Sequence, residues 1–358
     1  MTDLLYTDTE EELRASVRSL LAHHAAPATV LAGLERPGPR DPRAWDALAA
    51  GVGAAGLLVP EELGGQGATH REAAVVLEEL GRAVAPLPYL TSAVVATEIL
   101  LDCAPGSAEA TALLERLAGG RTVCVAALPL TLGPGGPLPD GRPGPVGAVA
   151  DADAADVFLV AAATGLYAVP AGAAVLERQV PLDLTRPLAR VTAAADDGIR
   201  LAGPDDARRA VRRGLLAGAG LLASEQLGLA EWCLTETVGY LRVRHQFNRP
   251  LGSFQALKHR LAGLWLDVAS ARAAARAAAD ALAAGAADAE LLVAVAQAYC
   301  SGVAVRAAEE CLQLHGGIGM TWEHPAHLYL KRAKADSLAL GTPAHHRATV
   351  ATLTALHP

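Results

Sequence analysis

Apolar residues recur at three- and four-residue intervals through the first part of the chain. Thr9-x-x-Glu12 reads as a capping box, and Leu13, Val17, Leu20 and Leu21 follow it at helical spacing. A second amphipathic stretch around Trp45 to Leu48 runs into the apolar Gly56-Leu57-Leu58-Val59-Pro60. Gly64-Gly65-Gln66-Gly67 then predicts a loop before a helix over His70 to Val84, which Pro86 and Pro88 close. Residues 90–118 return to a helical pattern.

The pattern changes at Arg121. Thr122 to Leu128 is β-prone, and Thr131 to Gly147 is too rich in Gly and Pro for regular structure. Short strand-like runs follow at Val157 to Ala161, Leu166 to Val169, Val175 to Val180 and Leu188 to Thr192. From Asp206 to Leu356 the periodicity is helical again. In the alanine-rich stretch Ala269 to Ala289, Arg272, Arg276 and Asp280 stand four residues apart and predict one solvated stripe. The expected fold class is mostly α with a small β middle domain: an N-terminal helical domain over 1–118, a small β domain over 119–205, and a C-terminal helical bundle over 206–358.

With 358 residues, 52% of them hydrophobic, the chain can fill several cores, which excludes a disordered polymer. A net charge of -8 without a basic stripe gives nucleic acid nothing to bind. Five cysteines, an odd number with no C-x-x-C pair, suggest neither a disulfide framework nor a zinc site and read as buried thiols in a reducing cytoplasm. Met1-Thr2-Asp3 lacks the cationic start of a signal peptide, and no apolar run reaches the roughly 18 residues of a membrane span, so a soluble cytoplasmic protein is expected. His324 and His327 are three apart and His345-His346 adjacent. Only Glu323 joins them at helical spacing, so no metal is expected.

Two longer blocks carry chemistry. One is Gly-Tyr-Leu-Arg-Val-Arg-His-Gln-Phe-Asn-Arg-Pro-Leu-Gly-Ser-Phe-Gln-Ala-Leu-Lys-His-Arg-Leu over 239–261, the other Gln-Leu-His-Gly-Gly-Ile-Gly-Met-Thr-Trp-Glu-His-Pro over 313–325. They resemble the signature blocks of the acyl-CoA dehydrogenase family. Val59-Pro60-Glu61 to Gly67, Glu78-Glu79-Leu80-Gly81-Arg82 and Gly341-Thr342 extend the resemblance over nearly the whole chain. It implies a helical N-terminal domain, a β-barrel-like middle and a C-terminal four-helix bundle, assembled as dimers or tetramers. It also implies FAD as cofactor, an acyl-CoA or acyl-carrier thioester as substrate, and an electron-transfer flavoprotein as electron partner. By position, Arg244, Gln246, Phe247, Leu251 and Gln255 are implied to reach the FAD pyrophosphate and adenosine of the neighbouring protomer. Gln313, Gly316, Gly317 and Thr342 are implied to form further parts of the FAD site. A guanidinium at a helix end suits phosphate oxygens, and glycines let backbone approach a dinucleotide closely. Asn248 stands where the family has Gly, and Asn tolerates left-handed backbone.

The departures concern the base. In the family a glutamate before Gly-Thr takes the α-proton while the flavin takes the β-hydride. Here Leu340, which cannot accept a proton, holds that place. The alternative family position, on the first long helix of the last domain, falls on Gly218. Glu225 is the nearest carboxylate on that helix, about 10 Å further along; the plain reading makes it a helix-surface or dimer-contact residue. The family's flavin-covering loop is replaced by Leu128-Pro129-Leu130-Thr131-Leu132-Gly133-Pro134, and no tryptophan lies between Trp45 and Trp232. The catalytic residue is therefore unassigned. The chain resembles the degenerate partner subunit of bacterial heteromeric members, paired with a paralogue that carries the glutamate. The alternatives are a stand-alone flavoprotein or acyl-thioester-binding scaffold repurposed for other chemistry, and an active homomer using an unrecognised carboxylate.

Overall fold

The computed structural model describes residues 4–34, 42–138 and 144–355. Helix α1 spans Asp8–His24, and its capping box is Thr7 with Glu10, two residues earlier than the spacing suggested. A tertiary contact decides the choice. The Glu10 carboxylate accepts from the Thr7 amide (2.6 Å) and also from Arg71 Nε (2.8 Å), which Glu12 does not. Helices α2 (Pro27–Gly33) and α3 (Pro42–Asp46) follow, the latter widening into a π-helical turn over Ala47–Gly51. Helix α4 (His70–Ala83) is capped by Thr69 and Glu72, and α5 (Thr97–Cys103) and α6 (Ala108–Ala118) complete the first region.

Seven short strands come next: β1 (Cys124–Ala126), β2 (Val146–Ala150), β3 (Val157–Ala162), β4 (Gly165–Pro170), β5 (Val175–Gln179), β6 (Leu188–Thr192) and β7 (Ile199–Ala202). They form two sheets, β1-β3-β4-β7 and β2-β6-β5, antiparallel except for the β1–β3 pair. Strand β2 starts inside the Gly- and Pro-rich stretch, whose composition hid it; residues 139–143 of that stretch lie outside the described residues. Strand β7 was too short to show a period.

The last region opens with α7 (Pro204–Val243), whose 40 residues run about 60 Å. A hairpin of β8 (His245–Gln246) and β9 (Arg249–Pro250) leads to α8 (Gln255–Ala283), α9 (Ala289–His315), α10 (Ala326–Asp336) and α11 (Pro343–Leu353). This is the expected architecture of N-terminal helices, small middle sheets and C-terminal helices. Two expectations need correcting. The helical run Ala289–Met320 is long and apolar enough, by length and composition, to cross a membrane. Its apolar residues Val293, Ala296, Cys300, Ala304 and Ala307 are buried in the bundle core, which accounts for that composition. The Arg272, Arg276 and Asp280 stripe is not a solvated face. Arg272 pairs with Glu231 (2.6 Å) and Asp280 with Arg71 (3.1 Å), while buried Arg276 lies over the Tyr6 ring at 3.7 Å. The stripe therefore docks α8 against α7 and the N-terminal region, because charges so close to a second surface find partners there before water.

Helices α4 and α7 cross on two glycines. A Cβ on Gly81 would lie 2.1 Å from the Glu225 carbonyl oxygen, and one on Gly228 would lie 1.9 Å from the Glu78 carbonyl oxygen. Only glycine permits that approach. Gly228→Ala is therefore expected to push the helices apart and lower stability by about 1–3 kcal/mol or more. Gly239→Ala, on the same helix with nothing within 4 Å of its would-be Cβ, is expected to raise stability by up to about 1 kcal/mol. Urea midpoints of the two variants measure the contrast; equal shifts would refute the close crossing.

Candidate functional site

Leu340 and Gly218, the two positions at which a base was sought, face each other. A Cβ on Gly218 would lie 3.1 Å from Leu340 Cδ1 and 2.6 Å from Val95 Cγ2. Leu340 is 4% exposed and sits between α10 and α11 with φ at 51°. Its amide donates to the Leu130 carbonyl (2.7 Å), and His346 Nε2 lies 3.0 Å from its carbonyl oxygen. These bonds draw the 128–134 loop onto the 340–346 turn. What remains is a cavity of 40 Å³ lined by Leu90, Val95, Leu128, Leu130, Leu215 and Leu340, with no titratable side chain among the described residues on its wall. A water occupies about 30 Å³, whereas a small-molecule pocket needs at least about 300 Å³. As lined by the described residues, this cavity is smaller than an acyl thioester.

Glu225 is neither a surface residue nor a free base. It is 1% exposed, and its carboxylate accepts from Arg186 Nη2 (2.7 Å) and Arg332 Nη1 (2.5 Å). Arg186 also reaches Asp336 (2.7 Å), and Arg332 reaches Asp183 and the Thr185 side chain (2.6 Å). Burial alone would raise the Glu225 pKa, but the two guanidiniums outweigh it and hold the carboxyl below its ordinary range, so it is a poor proton acceptor. Asp336 goes the other way. Burial, then the charge of Glu225, push it up to about 8 against Arg186 and Arg332. Its buried Oδ2 has no hydrogen-bond partner, which suits a carboxyl that keeps its proton. With Asp336 neutral, two cations meet two carboxylates and the cluster balances. Sequence reading missed Asp183, Thr185 and Arg186, which come from the strand-to-strand connection; the i, i+4 pair Arg332 and Asp336 was the one local hint.

The remaining candidates gather at the other end of α7, about 39 Å from Gly218 by helix rise. Arg244 follows the last residue of α7, exposed, and among the described residues its guanidinium has no ion-pair partner. The β8–β9 turn places both Phe247 (φ 53°) and Asn248 (φ 57°) in the left-handed region, as hairpin twist prefers. Asn accepts this easily. For Phe it costs about 1–2 kcal/mol, yet the ring stands 84% exposed. Exposed Gln246 lies in β8, half-buried Leu251 in the following turn, and Gln255 opens α8. Tyr240 stacks on His315 with centroids 4.4 Å apart, which brings the end of α9, with Gln313, Gly316 and Gly317, alongside the end of α7. Gly316 has φ at 62°, and neither glycine has anything within 4 Å of its would-be Cβ. Thr342 is separated from this group. It lies beside Leu340, where its hydroxyl accepts from the His345 amide (3.2 Å) and caps α11.

A helical first region, small sheets and a long-helix bundle make up the architecture, and comparison with known proteins gives the family. The models for the acyl-CoA dehydrogenase N-terminal and C-terminal domains match residues 7–120 and 208–353. The chain is 38% identical to the acyl-CoA dehydrogenase IpdE2 of Mycobacterium tuberculosis, over 94% of both chains. Among solved structures it is similar to the ChsE4-ChsE5 complex from Mycobacterium tuberculosis (TM-score 0.85, 26% identity, all of both chains). It is also similar to a steroid ACAD variant (TM-score 0.83, 29% identity, 97% of this chain and 98% of that one). The chain belongs to the acyl-CoA dehydrogenase family of FAD-binding oxidoreductases.

The buried cluster makes stability depend on pH. Asp336 keeps its proton in the fold to about pH 8, whereas its ordinary value is 3.8. Its contribution is thus complete below pH 3.8 and is lost as pH rises through 8. Asp336→Asn keeps a donor in place of the acid proton. Between about pH 6 and about pH 9 the native chain is expected to lose denaturant resistance more steeply than the variant. Parallel losses in both would rule out Asp336 as the titrating group.

Proposed function

We propose that this chain is the base-less subunit of a heteromeric FAD-dependent acyl-CoA dehydrogenase that desaturates an acyl thioester at its α,β bond. Its partner is a paralogue carrying the catalytic glutamate. The observation that carries this reading is the contrast between the two ends of α7. The near cleft is filled by Leu340 against Gly218 and bonded shut at Leu130, while the far end offers a free guanidinium, an exposed aromatic ring and two unobstructed glycines.

The residues present fit FAD unequally. At the far end, Arg244 would meet the pyrophosphate and Phe247 an apolar face of the dinucleotide, with Gln246, Leu251, Gln255, Gln313, Gly316 and Gly317 as the surrounding wall. At the near end, Leu340 packs against Gly218 and its amide bonds to the Leu130 carbonyl, which supports a cleft closed to a flavin ring. When bound in the partner's cleft, FAD supplies the acceptor for the β-hydride. This chain's own residues bind and orient it there and move no proton. Thr342 caps α11 beside Leu340, and its part in the cofactor site is proposed on the resemblance alone. The steroid ACAD among the structural neighbours supports a bulky, steroid-derived acyl thioester as substrate. Electrons would pass to an electron-transfer flavoprotein in the cytoplasm, where the five buried thiols stay reduced.

The test is turnover of an acyl-CoA with an artificial electron acceptor. The chain alone is expected to be inactive and the co-expressed pair active. Removing the partner's glutamate should abolish activity, whereas Leu340→Ala should leave most of it. Turnover by the chain alone would overturn the proposal.

Arg244→Ala in the assembled pair is expected to weaken FAD at least ~10-fold, the equivalent of one charge-assisted hydrogen bond, with the circular dichroism spectrum unchanged. Unaltered FAD affinity would remove Arg244 from the site.

A further inference from the structure

Near the far end of α7, three side chains from separate parts of the chain converge. Glu236 comes from α7, His315 is the last residue of α9, and His324 lies in the connection before α10. Their ligand atoms all lie within 4.8 Å of one another. His315 is 2% exposed, and its Nδ1 lies 2.7 Å from the Cys311 carbonyl oxygen. That contact places a ring proton on Nδ1, so Nε2 is the nitrogen left to take a second proton or a metal ion. Nε2 is buried and has no hydrogen-bond partner among the described residues. A buried imidazole that donates one nitrogen to a backbone carbonyl and has its other nitrogen unused is the arrangement metal-binding histidines adopt. Leaving that nitrogen unsatisfied otherwise carries a desolvation cost.

We propose that Glu236, His315 and His324 bind a divalent transition-metal ion, with zinc as the best fit. Two imidazoles and one carboxylate suit zinc, which bonds nitrogen and oxygen donors at about 2.0–2.2 Å and leaves a fourth position for water. Donors sharing such an ion lie about 3.4 Å apart, so a rotation of the exposed Glu236 side chain, which has no ion-pair partner among the described residues, closes the remaining gap. Ligation by His324 replaces the 3.2 Å bond in which the Ala326 amide donates to its Nδ1, so it costs one long hydrogen bond. The ion would tie α7, α9 and the 321–325 segment together around the Gly316–Met320 turn. It would thereby fix the glycine turn that the far surface presents.

The experiment uses the tag-free full chain, stripped with chelator and titrated with zinc chloride, with bound metal counted after dialysis. One zinc per chain is expected, together with a zinc-dependent rise in Tm. Glu236→Gln and His324→Asn should each weaken binding by more than the ~10-fold that even an outer-shell change costs. Glu236 is exposed, so its variant folds, and circular dichroism checks both. A chain that retains no zinc would overturn the proposal. So would binding that neither variant weakens, which would place the ion at His23-His24 or His345-His346.

Discussion

Two guanidiniums, those of Arg186 and Arg332, hold three acidic side chains out of water where the sheets meet the helices, and the rest of the structure is arranged around that junction. Asp183, Glu225 and Asp336 come from three separate segments; the carboxylates of Asp183 and Glu225 balance the two arginines, and neutral Asp336 bonds to Arg186. Removing one partner from a buried set of this kind costs about 3–5 kcal/mol, because the charge left behind has no solvent. Glu225 contributes twice. Its side chain joins the cluster, and its backbone carbonyl oxygen is the atom against which Gly81 of α4 packs. One turn of α7, from Ser224 to Gly228, therefore anchors the first region, the sheets and the bundle together.

Because α7 is pinned at its middle and continuous over 40 residues, its two ends are held far apart and do different things. Toward its start, Gly218 meets Leu340 and the loop from the sheets closes over both. Toward its end, the hairpin and the glycine turn project from the bundle with an aromatic side chain in strained backbone. An exposed Phe held at positive φ costs stability and returns none through burial, which is the mark of a surface shaped for something other than the chain's own fold. Leu340 packed against Gly218 toward one end, and an exposed guanidinium and aromatic ring at the other, form the asymmetry the proposed function rests on.

Much of this was legible in the residues. Periodicity placed α4 within one residue, and it located β3 to β6 closely, because each presents a clear alternation or apolar run. That Leu340 carries no titratable group needed only the residue's identity, whereas its packing against Gly218 was visible only in the structure. What was not legible depends on long-range contact. The cap at Thr7 was chosen by Arg71, 61 residues beyond Glu10, and the Arg276 stripe became an interface because Tyr6 and Glu78 lie opposite it. Glu225 looked like a surface acid because its two arginines are 39 and 107 residues distant. Likewise, the glutamate nearest the histidines in sequence, Glu323, is not the one that joins them in space.

The most direct measurement is the number of flavins per assembled pair, taken from native mass spectrometry of the chain co-purified with its glutamate-bearing paralogue. If the cleft at Leu340 is closed and the far surface serves only the partner, each pair of chains carries one FAD. Two FAD per pair would mean that the cleft of this chain opens to a flavin of its own, and would contradict a subunit that serves only its partner's cofactor.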